Sequence, residues 1–356
     1  MPKISTKLCL ASSAAILRPN VTSPHPKLLT VKLSKASTLP ELLSLHETYG
    51  DHFNGLHISA FWSKFKKLPR GKLDGLRDRL EPVCEQTLRM LPALIDARAV
   101  ANVAHAFAKA RLTVGTGPWH NVWAALPKAV LRLLGGFDEQ NLSNTAWAFA
   151  KAGHSSAALF SAISAEALRR GLGRFNEQAL SNTAWAFAKA DHSSPALFRA
   201  ISAEALRRGL GGFIEQALSN TAWAFAKAGL SSPALFSAIS AEALRRGLGG
   251  YNEQNLSNTA WAFAKAGHSS PALFVAISAE VMRRRLGSFN EQALSNTAWA
   301  FAKAGHSSPA LFAAMSAEAL RRGVGGFNEQ DLSNAAWAFA KVGHASSALF
   351  GAVSEP

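Results

Sequence analysis

Cysteine is nearly absent from this chain of 356 residues, which contains only Cys9 and Cys84. Two thiols cannot form a disulfide framework, and they are too few for a cysteine-based zinc site. Long hydrophobic runs are also missing, because no apolar stretch reaches the roughly 18 residues that indicate a membrane-spanning helix. The sequence therefore predicts neither a disulfide-stapled domain nor a membrane-spanning helix.

Charged residues are scarce as well, at 17% of the chain, and acidic residues are the scarcer kind. The chain has 38 Lys and Arg against 23 Asp and Glu, a formal net charge of +15. Apolar residues make up 48% of the sequence, which is enough to build a core and argues against a largely disordered chain. The surplus of positive charge predicts an anionic partner such as RNA, DNA or a membrane surface.

Acidic residues are missing altogether from residues 1–38. Lysine, serine and threonine are frequent there, as in organelle transit peptides, and Pro19, Pro24 and Pro26 argue against one continuous helix. The apolar stretch Leu8–Leu17 also fits a secretory signal, so a composite leader is an alternative, as is a plain basic tail. We predict that residues 1–38 are a disordered targeting leader for the plastid or the mitochondrion, with the plastid favoured.

A repeat of 38 residues fills most of the chain. Tryptophan recurs at this spacing, at Trp147, Trp185, Trp223, Trp261, Trp299 and Trp337. Six copies of the unit FNEQALSNTAWAFAKAGHSSPALFSAISAEALRRGLGG begin at Phe137, Phe175, Phe213, Tyr251, Phe289 and Phe327, and the sixth is incomplete. A fixed period of roughly 20–50 residues indicates a solenoid. The predicted domains after the leader are diverged, capping helical repeats in residues 39–136 and the six near-identical repeats in residues 137–356.

Each copy has the pattern of two helices. In the copy that begins at Phe175, Asn176 is placed to cap a first helix with an apolar face. Ser194 is placed to cap a second helix with Pro195 at its first position, and Gly209 suits the end of that helix. One such pair cannot bury both apolar faces, but stacked pairs can. The predicted fold class is all-α, a monomeric α-solenoid of stacked 38-residue helical hairpins.

One face of the first helix carries polar residues that are the same in every copy. A projection at about 100° per residue places Ser143, Asn144, Trp147 and Lys151 together, so stacking would align each of them in a row. Lysines could contact phosphates and asparagines base edges, while the tryptophans fit packing between repeats better than stacking on bases. The predicted RNA-binding residues are Asn144, Lys151, Asn182, Lys189, Asn220, Lys227, Asn258, Lys265, Asn296, Lys303, Asn334 and Lys341. Hydrogen bonding of the asparagines to a neighbouring backbone is an equal alternative.

Few positions vary between copies, and a base code needs variation at the positions that read bases. The position of Asn141 varies at the start of the first helix. The predicted specificity positions are Asn141, Ala179, Ala217, Asn255, Ala293 and Asp331.

Histidine recurs in the loop between the two helices, at His154, His192, His268, His306 and His344. Histidines one repeat apart cannot share a metal ion, which needs donors at about 2 Å, so we predict hydrogen bonding within the loop. The recurring serine pairs are explained by helix capping, and no catalytic constellation accompanies them. The sequence predicts no enzyme activity, no cofactor and no metal site.

The LSNTAWAFAKAGH core within a 38-residue helical hairpin resembles the octotricopeptide-repeat and related RAP-type organellar RNA-binding proteins. The resemblance implies single-stranded RNA as the partner, in plastid or mitochondrion, and a role in transcript stability, processing or translation. Protein partners are also compatible with it. The alternative is a protein-binding scaffold of armadillo-like type, whose solenoids also present asparagine and tryptophan rows. The lysine in each repeat favours RNA over basic peptides.

Overall fold

The computed structural model describes residues 25–69, 75, 77–112, 117–306 and 308–344. In this part of the chain there are 17 α-helices and no β-strand, which confirms the all-α prediction. The first layer contains α1 (Pro26–Lys35), α3 (Gly55–Phe65), α5 (Ala97–Lys109), α7 (Glu139–Ala152), α9 (Glu177–Lys189), α11 (Glu215–Lys227), α13 (Glu253–Ala266), α15 (Glu291–Lys303) and α17 (Glu329–Lys341). The second layer contains α2 (Leu39–Tyr49), α4 (Arg77–Met90), α6 (His120–Leu133), α8 (Ala157–Arg170), α10 (Pro195–Arg208), α12 (Pro233–Arg246), α14 (Pro271–Arg284) and α16 (Pro309–Arg322).

Consecutive helices alternate between the two layers, so the chain is a series of stacked hairpins. From α3 to α17, consecutive first-layer helices lie in close contact, whereas second-layer helices touch their neighbours much less. An array that is packed more closely in one layer curves toward that layer. The first layer therefore forms the concave side of the array. The prediction of an α-solenoid is confirmed.

Small side chains explain the close packing of the first layer. In α9, Ala184, Ala186 and Ala188 are at most 3% exposed, and Phe187 is fully buried among them. Alanine lets helix axes approach toward the short end of the usual range of about 8–10 Å. The second layer packs with Leu197, Phe198 and their equivalents instead, so its helices stand further apart.

The first-layer helices of the regular repeats begin at similar caps. The Asn176 side chain accepts a hydrogen bond from the backbone N–H of Ala179, as predicted from the sequence. The second-layer helices differ from the prediction, because Ser194 makes no capping hydrogen bond. Its hydroxyl lies 2.7 Å from the Ser164 hydroxyl of the preceding repeat, so the serine links two repeats instead. Gly209 has φ 74°, a backbone conformation that favours glycine.

The solenoid begins inside the segment that was predicted to be a disordered leader. Residues 26–35 form α1, in which Leu29 and Leu33 are fully buried, and α1 packs against α3. Two leucines four residues apart lie on one helix face, and Pro26 stands at the helix start, where proline is tolerated. The boundary at residue 38 is therefore corrected for this part, while residues 1–24 lie outside the described residues.

One arginine of each second-layer helix ties neighbouring repeats together. Arg246, at the end of α12, donates hydrogen bonds to the carbonyls of Leu210, Gly211 and Phe213 in the turn before α11. It also donates to Glu242 one turn earlier in its own helix. Arg170, Arg208, Arg284 and Arg322 make the corresponding contacts with the preceding turns. These arginines satisfy carbonyl groups that no helix supplies with a donor.

Replacing Ile214 by asparagine should stabilise the protein. Ile214 stands at the cap position of α11, where it makes no capping hydrogen bond and its side chain is 53% exposed. Its backbone (φ −69°, ψ 163°) already matches that of Asn176 (φ −71°, ψ 172°). We expect Ile214→Asn to raise the free energy of unfolding by about 1 kcal/mol in urea titrations. The reverse change, Asn252→Ile in the next repeat, should lower it by a similar amount, and equal midpoints for both variants would contradict this.

Acidification should destabilise the solenoid between about pH 4.5 and pH 2. Hydrogen bonds from Arg245 and Arg246 lower the pKa of Glu242 to about 2, and the charges of both arginines act in the same direction. In the other repeats, the corresponding pairs of arginines lower the pKa values of Glu166, Glu204, Glu280 and Glu318 to about 2. The unfolded chain binds protons at these glutamates first, so their contribution is complete above pH 4.5 and lost as the pH falls toward 2. Thermal unfolding followed by circular dichroism measures this loss, which should shrink when all five glutamates are replaced by glutamine.

Candidate functional site

A single stripe of polar and aromatic side chains runs along the concave face of each first-layer helix of the regular repeats, from α7 to α17. In α7 it consists of Gln140, Asn144, Trp147 and Lys151, whose spacing of four, three and four residues keeps them on one face. We call these four positions the inner stripe. The glutamine row was not predicted from the sequence. It comprises Gln140, Gln178, Gln216, Gln254, Gln292 and Gln330, all of which are exposed.

The inner stripes of neighbouring helices line a groove along the concave side. A cavity of about 510 Å³ within it extends across α5, α7, α9 and α11. The carboxamides that line it are those of Gln140, Asn144, Asn176, Gln178, Asn182, Gln216 and Asn220. Carboxamides offer both a donor and an acceptor, so the floor of the groove can hydrogen-bond to planar polar ligands such as nucleobases.

The tryptophans of the inner stripes pack on one another from repeat to repeat. Adjacent indole rings have centroids 6.1–6.4 Å apart and planes inclined by 32–36°. His105 of the diverged repeat contacts Trp147 edge-on at 5.4 Å and extends the series. The prediction that these indoles serve packing between repeats is confirmed. Trp337 is the most exposed of them, at 41%, because no further described repeat covers it.

The asparagines of the inner stripes are half-buried beside the tryptophans. Within the described ranges, no hydrogen bond joins their side chains to a backbone group. The contact that the structure does show is with a neighbouring carboxamide, since Gln330 donates to Asn334 Oδ1 at 3.0 Å. The structural alternative for the asparagine row is thus not supported, and the carboxamides face the groove.

Lysines form the opposite edge of the groove, at the carboxyl end of each first-layer helix. Lys151 and its equivalents are exposed, and Lys67 and Lys109 continue the row into the diverged repeats. Lys227 is also exposed but is ion-paired, because its Nζ lies 2.8 Å from the Asp191 carboxylate of the preceding repeat. In each of the other five regular repeats, glycine stands at the position that corresponds to Asp191. Among the described residues of the regular repeats, the lysine edge is therefore positive except at this ion pair.

The amino-terminal end of the groove concentrates basic groups. Lys66 Nζ lies 3.3 Å from His105 Nδ1 and 3.4 Å from Asn102 Oδ1. Burial, together with the charges of Lys66 and Lys109, lowers the pKa of His105 to about 4. His105 is therefore neutral at physiological pH, and the lysines supply the positive charge at this end.

The predicted specificity positions lie between repeats. Ala179, Ala217, Asn255, Ala293 and Asp331 are at most 6% exposed, and Asn141 is half-buried. The carbonyl of Asn255 accepts a hydrogen bond from the Ser219 hydroxyl of the preceding repeat at 3.1 Å. The backbone at this position thus faces the neighbouring helix, while Ala179 also borders the cavity, and the role of these positions in base selection stays a prediction.

The recurring histidines lie away from the groove. His192 packs against Phe160 of the preceding repeat and Phe187 of its own, and its Nε2 lies 3.4 Å from the Ser161 hydroxyl. The prediction of hydrogen bonding within the loop is corrected here, because Ser161 belongs to α8 of the preceding repeat and these contacts bridge two repeats. No group of three metal-ligating side chains occurs among the described residues. Among the described residues, no helix combines the length and the apolar character that are needed to span a membrane.

Replacing Asp191 by glycine should strengthen the binding of a polyanion to the groove. The change removes the only carboxylate paired with an inner-stripe lysine in the described residues and frees Lys227. Asp191 has φ 51° and is exposed, so glycine fits the same backbone. For single-stranded RNA we expect about a five-fold gain in affinity at 0.1 M salt, from one more counterion released. The gain should vanish when Lys227 is glutamine, and its persistence there would contradict the assignment.

Comparisons with known proteins identify one matching family. A family model described as RNA-editing substrate-binding complex 6 protein matches residues 83–352. This range includes the six regular repeats apart from the last four residues of the sixth. No curated protein sequence matches the chain significantly. The crystal structure of an engineered protein is similar over 90% of this chain and 94% of its own, with 14% identity and a TM-score of 0.41, too low to support an argument. The matched family is not the octotricopeptide-repeat or RAP-type group, so the sequence resemblance holds only for a helical-repeat protein linked to RNA.

Proposed function

The chain belongs to the RNA-editing substrate-binding complex 6 protein family, and from this premise we propose that it binds single-stranded RNA along the inner stripes. The observation that carries the proposal is the repetition of lysine, tryptophan, asparagine and glutamine along one concave groove. The strand lies across successive first-layer helices, at about one nucleotide per repeat.

The two edges of the groove divide the work of binding. Phosphates contact the lysine edge, where Lys151, Lys189, Lys265, Lys303 and Lys341 are exposed. The bases point across the tryptophan row toward the carboxamides of the asparagine and glutamine rows. Because the tryptophans are packed on one another, only their exposed edges meet the bases. Such a site holds and orders a strand without reacting with it, so we propose that the protein acts by binding and has no catalytic role.

The family name places its members in an RNA-editing substrate-binding complex. We therefore propose that this chain works with protein partners in such a complex, in RNA processing rather than in transcript stability or translation. Complexes of this kind act in the mitochondrion, which we propose as the location in place of the plastid. The armadillo-like alternative is disfavoured because a lysine edge repels the basic peptides that such grooves usually bind.

Binding of the purified chain to single-stranded RNA in a salt series tests the proposal. Five unpaired lysines, each neutralising one phosphate, predict a slope of log K against log salt near about −3.5. A duplex of the same sequence is the control, and it should bind more weakly because its bases are not available to the carboxamides. The proposal is wrong if no single-stranded RNA binds, or if the affinity does not depend on salt.

A further inference from the structure

The side of the groove that faces the bases is the same in every regular repeat. Glutamine, asparagine, tryptophan and lysine occupy the inner stripe in all six copies. The positions that do vary contribute little to that side, because the Asn141 equivalents are mostly buried, although Ala179 borders the cavity. The Asn141 position is in the contact between repeats, and the Ser161 position is on the second-layer helices, where Arg199 and Val275 are exposed.

Identical reading groups impose the same preference on each nucleotide. A base whose edge matches the carboxamides of one repeat matches those of the next repeat equally well. Each match multiplies the affinity, so a tract of that base gains at every repeat. A mixed sequence gains only where the matching base happens to fall.

On the basis of the proposed function, we propose that the preferred ligand is a homopolymeric tract of single-stranded RNA. Such a tract can shift along the groove by one repeat and meet the same side chains again. The protein thus recognises the repetition of one base, and a unique order of different bases is not what the groove distinguishes.

The ion pair between Asp191 and Lys227 leaves this uniformity of the inner stripes intact. Asp191 pairs with Lys227 on the lysine edge, 2.8 Å away, and so weakens one phosphate contact. Gln216 and Asn220 lie in α11, the helix that carries Lys227, and their carboxamides line the groove as in the neighbouring repeats. A missing phosphate contact lowers affinity for all sequences alike and does not change which base is preferred.

Fluorescence anisotropy with the full chain tests the inference. The probes are the four homopolymers of about 12 nucleotides, longer than the groove at one base per repeat, and a mixed 12-mer without identical neighbours. Lithium chloride serves as the salt, because lithium suppresses quadruplexes of oligo(G). We expect one homopolymer to bind about 10-fold or more tightly than the mixed strand and the other three.

A groove variant separates base reading from other preferences. Replacing Gln216, Gln254 and Gln292 by alanine removes exposed side chains, so folding should be unaffected. This variant should lose much more affinity for the preferred homopolymer than for the mixed strand, so that the two RNAs bind about equally well, and its salt slope should be retained because the lysines are unchanged. A variant with Asn220, Asn258 and Asn296 replaced by alanine should behave in the same way, provided that its circular dichroism is native.

The outcomes distinguish this inference from the proposed function. If all five RNAs bind within about three-fold of one another, or if selection from a random pool yields one mixed motif, the homopolymer inference is wrong while RNA binding stands. A preference that survives both sets of alanine substitutions also overturns it, because the carboxamides would then not be the reading groups. If no RNA binds, the proposed function itself fails.

Discussion

Replacing Lys265 and Lys303 together by glutamate should weaken binding to single-stranded RNA about 100-fold at 0.1 M salt. Each lysine–phosphate contact contributes about 0.7 log units at that salt through the release of a counterion. Two lost contacts account for about 25-fold, and repulsion between glutamate and phosphate supplies the remainder. The slope of log K against log salt should become shallower by about 1.4.

A charge-matched control places the reversal on the other face. Arg199 and Arg285 are exposed, in a second-layer helix and at the end of another, and the double Arg→Glu variant changes the net charge by the same amount. It should lose only a few-fold in affinity. Lys227→Glu is a second comparison, which should cost less than Lys265→Glu because Lys227 is already paired with Asp191. Equal losses for the two double variants would mean that RNA binding is not located in the groove.

Replacing Arg246 by alanine should lower the free energy of unfolding by about 3 kcal/mol. The variant leaves the carbonyls of Gly211 and Phe213 without the donor that Arg246 supplies, while the Leu210 carbonyl keeps the backbone N–H of Phe213. A buried polar group without a partner costs about 1–3 kcal/mol, and the Arg246 side chain is only 18% exposed. Because the lost contacts join two repeats, unfolding should also become less cooperative.

The adjacent arginine provides the matched control for this change. Arg245 bonds to the same Glu242, at 2.7 Å, but its side chain is 66% exposed and contacts no neighbouring repeat through a hydrogen bond in the described residues. A solvated ion pair contributes little to stability, so Arg245→Ala should leave the urea midpoint nearly unchanged. Urea unfolding followed by circular dichroism compares the two variants. If both shift the midpoint equally, the contacts with the preceding turn are not what stabilises the array.

The placement of the inner stripe could largely be predicted from the sequence. The projection of one helix brought Asn144, Trp147 and Lys151 to one face, and the structure places all three on the concave side. Gln140 has the same periodicity and could have been found by extending the stripe by one turn.

The predicted specificity positions show what the projection of a single helix cannot predict. Asn141 lies beside the stripe on the helix circumference, and the sequence of one helix cannot tell which flank meets a neighbour. The close approach of the alanine-rich helices decides this, and it buries the equivalent Ala217 and Asn255 between repeats. The same approach brings Asp191 to Lys227 from a different repeat, a contact across 36 residues that no local pattern contains.

The sequence by itself determined the period, the pair of helices in each repeat and the identity of the residues along each helix face, because these depend on local periodicity and capping. Only the tertiary structure decided that the first layer is the concave one, that the tryptophans pack on one another, and that α1 joins the solenoid through Leu29 and Leu33. Those features depend on the distances between helices. The fit of side chains from separate repeats sets those distances, and a helical projection carries no information about them.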